Sequence, residues 1–163
     1  MSRETIAFFD VLKKPLTARE IDEYTSGKFV AAMPDLEPLL FADKTYYTGL
    51  DQYSARRALK EHADFTKLHW AKVMRYRWLL KSIPFVRMIA VCNTLALNSS
   101  TENSDIDLFV VAKSGRLFLA RAFLTLFLHL FGLRRHGDKI SGRFCLSFFI
   151  SEDDLDLKRI LLD

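Results

Sequence analysis

The sequence predicts a mixed α+β fold, and three observations support it. Short apolar runs lie near residues 85–92, 105–111 and 143–150, and each has strand length. A long helical pattern, with Leu59, Phe65, Leu68, Val73, Trp78 and Leu79 as its apolar positions, precedes them. The first fifty residues read as separate short helices followed by a hairpin. At 163 residues the chain has room for one or two small domains. Half of the residues are hydrophobic and 14 are Phe, enough to build a core and to exclude a disordered chain. The expected divisions are 1–52, a long basic linking helix at 53–82, and a core at 83–163.

Thr5 to Lys13 reads as a helix with Ile6, Phe8, Phe9 and Leu12 as apolar contacts, ended by Pro15. Thr17 is an N-cap, and Glu20 three residues on completes a capping box for a helix over Ala18 to Tyr24. Met33 to Leu40 reads as a short third helix despite Pro34 and Pro38. Phe41 to Thr48 reads as a hairpin with Asp43-Lys44 near its tip. That order of three helices and a hairpin is winged-helix-like. Its charge argues against DNA reading: residues 1–50 hold six Lys or Arg against eight Asp or Glu. The expected third helix carries Asp35 and Glu37 and no base, whereas phosphate contacts need Lys, Arg or helix N-termini. A protein-contact or structural role is the better reading.

From Ser54 to Lys81 eight basic residues face only Glu61 and Asp64, so a solvated helix face or an electropositive surface is expected. His62 and His69 on this helix, like His129 and His136, read as ordinary surface or interface residues. Leu117 to Leu133 is almost continuously apolar but includes Arg121 and His129. It reads as a helix packed on a sheet between two strands rather than a membrane span, with Gly115 before it and Gly132 near its end. A membrane-surface helix is the competing reading. Cys92 and Cys145 fall in expected buried strands, read as small core hydrophobes, and indicate a reducing, cytoplasmic setting.

The most telling stretch is Ser104-Asp105-Ile106-Asp107-Leu108-Phe109-Val110-Val111. Residues i and i+2 of a strand share a face, so Asp105 and Asp107 project side by side. Adjacent carboxylates repel, and a fold tolerates that where a cation sits between them. Oxygen ligands of this kind suit Mg²⁺, which completes its shell with water and substrate phosphate. Taken alone, such a pair is more often a solvated strand end. Upstream, Ile89-Ala90-Val91-Cys92 reads as a strand, Asn93-Thr94 breaks it, and Leu95-Ala96-Leu97 forms one helical turn.

The arrangement of Val91-Cys92-Asn93-Thr94-Leu95-Ala96-Leu97 and Asp105-Ile106-Asp107-Leu108 resembles the nucleotidyltransferase superfamily of DNA polymerase beta type. In that family an apolar strand, a Gly-Ser turn opening a helix, and an Asp-hydrophobic-Asp strand follow one another. The resemblance covers roughly the second half of the chain, and some bacterial members carry a winged-helix-like segment ahead of it. It implies Mg²⁺-dependent transfer of a nucleoside monophosphate from an NTP to an acceptor hydroxyl. Asp105 and Asp107 would hold two Mg²⁺ ions, and Asn93 and Thr94 the nucleotide phosphates. Two departures stand out. Asn93-Thr94 replaces Gly-Ser, although Asn is the next-best residue for left-handed backbone and Thr keeps the hydroxyl. The strand Arg143 to Ile150 has no acid where many members place a third, so Asp138, Glu152 and Asp153 are the nearest substitutes. These departures leave a second expectation, a catalytically silent member binding a nucleotide or a protein partner. The apolar run from Leu155 to Leu162 leads to a further one, that the chain is not a complete transferase and that a C-terminal module holding the acceptor is missing.

The charge of the first segment makes a testable statement. In a fluorescence-anisotropy screen across random duplexes the chain is expected to show no salt-sensitive sequence preference. One duplex bound about a thousandfold better than the rest, the lower range for specific sites, would overturn it.

Overall fold

In the computed structural model, residues 2–25 and 38–156 are described. The chain divides into two compact units, Met1–Asp64 and Phe65–Asp163, with the division inside one long helix. Among the described residues the architecture is mixed α+β, with two three-stranded sheets and five helices.

The first unit runs α1 (Ser2–Val11), β1 (Leu16–Thr17), α2 (Ala18–Tyr24), β2 (Leu39–Phe41), β3 (Lys44–Tyr47) and the start of α3 (Gln52–Lys81). Its antiparallel sheet has the order β1-β3-β2. The capping box forms as the sequence predicts: Glu20 N donates to Thr17 Oγ1 at 3.3 Å, and Thr17 N donates to Glu20 Oε2 at 2.9 Å. Lys14, itself buried, sits 2.9 Å from Glu20 Oε1 and lies over the stacked rings of Phe9 and Tyr24. Burial works against the Glu20 charge, but the Thr17 amide and Lys14 outweigh it and hold the carboxyl below its usual range. Ile6, Phe9, Leu16, Ile21 and Leu39 form the core; Phe8 and Leu12, expected as core contacts, are exposed. Phe8 lies on the far side of a helix whose inner face already holds Ile6 and Phe9, three positions apart, and Leu12 falls in the turn after the helix ends at Val11.

Of the expected third helix, residues 33–37 lie outside the described ones, and Leu39 and Leu40 are strand rather than helix. The hairpin is present with its turn at Ala42-Asp43, both at positive φ (47° and 59°), as the twist of a two-residue hairpin requires.

The second unit contains the rest of α3, then β4 (Val86–Val91), α4 (Asn93–Ala96), β5 (Ile106–Ala112), α5 (Leu117–Leu130) and β6 (Phe144–Ser151). The order is β4-β5-β6, with β4 antiparallel and β6 parallel to the central strand. A parallel neighbour needs a crossover, and α5 supplies it. Its residues Ala120, Leu124 and Leu128, four apart, are fully buried, so the apolar segment packs on the sheet as the sequence predicts. The opposite face of α5 leaves Phe118, Leu126 and Leu130 exposed. Among the described residues no helix is long and apolar enough to cross a membrane.

One face of β5 is sealed: Ile106, Leu108 and Val110 are completely buried with Phe144, Leu124 and Leu128. The other face carries Asp107 and Phe109, the latter stacked on Phe148 of β6 with centroids 5.3 Å apart.

The two α3 histidines correct the sequence reading. His62 is 4 % exposed, and its Nε2–H donates to Lys13 O at 2.9 Å. His69 is 2 % exposed and packs against Gly142, whose φ is +60°. Helical spacing alone cannot show that the segments at 13 and 142 return to cover these positions. His129 and His136 are exposed, with ring centroids 6.1 Å apart.

Phe144, 0 % exposed, anchors the core of the second unit. Phe144→Ala is expected to lower its stability by about 3–5 kcal/mol in urea denaturation. Phe118→Ala, at a site 85 % exposed, should change it by less than about 0.5 kcal/mol.

Candidate functional site

The sealed face of β5 dictates where its carboxylates go. With Ile106 and Leu108 turned inward, Asp107 points to the opposite face, and Asp105, just before the strand, joins it. Both are half-buried. Cys145, the register partner of Asp107 on β6, completes a cluster in which one ligand atom from each of the three residues lies within 4.8 Å of the others. On the other flank Cys92 N donates to Asp107 O at 3.0 Å, so Cys92, Asp107 and Cys145 run across the sheet in a row.

Two further side chains bond the carboxylates, and a third lies near them. Arg135 Nη1 donates to Asp105 Oδ2 at 2.7 Å. Ser147 donates its hydroxyl proton to Asp107 Oδ1. His69 lies within electrostatic reach of Asp105, although burial, together with Lys72, keeps its imidazole below its usual pKa and favours the neutral ring. Lys72 Nζ donates to Gly142 O at 2.6 Å, and Gly142 N donates to Ser104 O at 2.8 Å. These bonds hold the segment just before Asp105 against the loop that precedes β6. The route of Arg135 to the site is equally specific. Phe144 N donates to Leu133 O, and Arg135 N donates to Phe144 O, both at 2.9 Å, while Ile106 N donates to Arg143 O at 2.8 Å. The guanidinium is thereby delivered to the head of β5.

The expected turn also comes to this end of the sheet. Asn93 follows Cys92 directly and has a φ of +53°. It occupies left-handed backbone, which Asn adopts more readily than other residues with a side chain. Thr94 is the second residue of α4. Its Oγ1 is buried, without a hydrogen-bond partner among the described residues, and is not presented to solvent. Its carbonyl accepts from Ser99 N at 2.8 Å.

The cysteines are not core residues. Both are half-buried and border the carboxylates, because the pleat places them on the face of Asp107. Burial, then the charges of Asp107 and its neighbours, raise the Cys92 thiol above its usual pKa, so it is protonated at neutral pH. Of the substitutes for a third acid, Glu152 is committed elsewhere. It pairs with Arg87 at 2.8 Å and accepts from Ser114 N at 3.0 Å. Its amide donates to Ala112 O, at the opposite end of β5 from Asp107. Asp153 is beside it, bonded to Ser151, and Asp138 is exposed in the turn before β6. Arg135, Ser147 and Cys145 were missed by sequence reasoning, since nothing local to them marks their meeting with residues 105 and 107.

The left-handed turn is open to test. Asn93→Gly is expected to leave stability unchanged or slightly raised. Asn93→Val should lower it by about 1–2 kcal/mol, the cost of a Cβ in that conformation. Chemical denaturation of both variants reads the difference, and equal effects would contradict it.

No protein-family model matches this sequence, and neither a curated protein nor a solved structure matches it.

Proposed function

We propose that the second unit is a nucleotidyltransferase-type domain that binds Mg²⁺ and an NTP at Asp105 and Asp107. The observation that carries this is the placement of both carboxylates at the head of the central strand, beside the left-handed Asn93 turn. The order of elements, strand, short helix, acidic antiparallel strand, crossover helix and parallel strand, agrees with it.

The donor set fits one magnesium ion. Asp105 and Asp107 would hold it, with water and phosphate oxygens completing the shell. Cys145, a soft thiol, is a poor ligand for a second ion, so the expectation of two narrows to one. When bound, such an ion neutralises charge on the transferring phosphate and orients it. The chain's own contribution is positional. Arg135 pairs with Asp105 and would have to yield it to the ion. Ser147 holds the Asp107 carboxylate in one orientation. In the transfer, the acceptor oxygen bonds to the α-phosphorus, the α–β bridging bond breaks and pyrophosphate leaves. The hydroxyl proton passes to water, since β6 presents no carboxylate at Cys145 or Ser147.

That last feature favours a second reading: a catalytically silent member that binds a nucleotide and acts through a protein partner. The thiol opposite Asp107 and the ion pair at Asp105 both support it.

Calorimetry with Mn²⁺ and a non-hydrolysable NTP is expected to show binding. Asp105→Asn and Asp107→Asn should each weaken it by at least about tenfold, the loss of one charge-assisted ligand. Equal affinity in wild type and the double variant would sink the proposal. Binding without transfer of label from an NTP to any acceptor in lysate would select the silent reading.

A further inference from the structure

A cavity of about 340 Å³ adjoins the carboxylates on the β6 side. Arg121, Thr125, Arg134, Arg135, His136 and Cys145 line it, and among the described residues no acidic one does. Its size lies within the roughly 300–1,000 Å³ of small-ligand sites. Three arginines line it, and only Arg135 has a carboxylate partner among the described residues, Asp105. Like charges gathered this way repel, and an anion relieves that repulsion. The arginines are also held in place. Arg134 N donates to Leu128 O at 3.1 Å, and the bond from Arg135 N to Phe144 O fixes the next residue. The Arg121 guanidinium lies 5.3 Å from the centre of the Phe149 ring. Backbone bonds thus fix the main chain at Arg134 and Arg135, and side-chain contacts hold the guanidiniums of Arg121 and Arg135. Planar, preorganised guanidinium forks match phosphate oxygens better than any other side chain does.

The geometry points to a phosphate-binding site at Arg121, Arg134 and Arg135 that takes the phosphate group of the acceptor substrate. Strand order separates it from the nucleotide. The Asn93 turn closes β4 on one side of the β5 carboxylates, and the arginine cavity borders β6 on the other. A nucleotide approaching from the Asn93 side and a phosphate ester seated among the arginines would meet across Asp105 and Asp107. The acceptor role rests on the reading of the carboxylate pair given above; the anion site itself does not. Arg135 joins the two places, since the guanidinium that lines the cavity is the one that pairs with Asp105.

Ribose 5-phosphate, a hydroxyl-bearing phosphate ester, is the probe, titrated calorimetrically into the full chain without divalent metal. Binding is expected, and Arg121→Gln and Arg134→Gln should each weaken it about tenfold with unchanged melting temperatures. Asp105→Asn, which releases Arg135 from its ion pair, should tighten it. With Mn²⁺ and the non-hydrolysable NTP already bound, ribose 5-phosphate should still bind. Absence of binding, or equal affinity in the arginine variants, overturns the site. Mutual displacement of ester and nucleotide overturns the acceptor assignment. Phosphate binding that depends on the arginines, with no metal–nucleotide binding at Asp105 and Asp107, leaves the anion site standing and removes the transferase reading instead.

Discussion

The two-sided environment of β5 is the constraint on which the second unit depends. Ile106, Leu108 and Val110 are excluded from water on one face, and a shift of one residue would bury Asp107 and expose all three. Burying an unpaired carboxylate costs several kcal/mol, and each exposed aliphatic side chain forfeits about 1.5–3 kcal/mol. Register is therefore strongly specified, and with it the location of every charged group at the head of the strand. Antiparallel β4 on one edge and parallel β6 on the other then bring Cys92 and Cys145 to either side of Asp107.

Like charges at Asp105 and Asp107 demand compensation, and the chain supplies it in two ways. Arg135 neutralises one carboxylate, and Ser147 donates a hydrogen bond to the other. The ion pair is asymmetric in exposure, with Asp105 at 14 % and Arg135 at 45 %. A pair so exposed on one side contributes little to stability. Its importance is positional: it holds a guanidinium at the junction of an acidic site and a basic cavity. On the proposed reading a metal–nucleotide complex and a phosphate ester would make opposite demands on those two places, with Arg135 the residue they share.

The first unit is governed by a different local device. The Thr17–Glu20 capping box sits beneath Lys14, whose ammonium pairs with Glu20 and lies over Phe9 and Tyr24. A charged group so deeply placed is tolerated because a carboxylate and two ring faces replace its water. These contacts tie the turn after α1 to the first turn of α2, beside the small core of Ile6, Phe9 and Ile21.

The sequence by itself determined what depends on near neighbours. The capping box follows from Thr17 and Glu20 three residues apart, and the shared face of Asp105 and Asp107 from a two-residue period. The left-handed turn follows from the short polar side chain of Asn93, and the inward stripe of α5 from residues four apart. Only the tertiary structure decided which distant residues meet. The neutralisation of Asp105 by Arg135 depends on backbone bonds linking Leu133, Phe144 and Ile106. The pairing of Cys145 with Asp107 depends on parallel register across a crossover, and the burial of His62 and His69 on loops that return over α3. Cys92 and Cys145 show the difference most clearly. Their apolar neighbours suggest a core, but which face of a strand is sealed is set by the elements packed against it. Here α5 and α3 cover the other face of the sheet, so both thiols stand with the carboxylates.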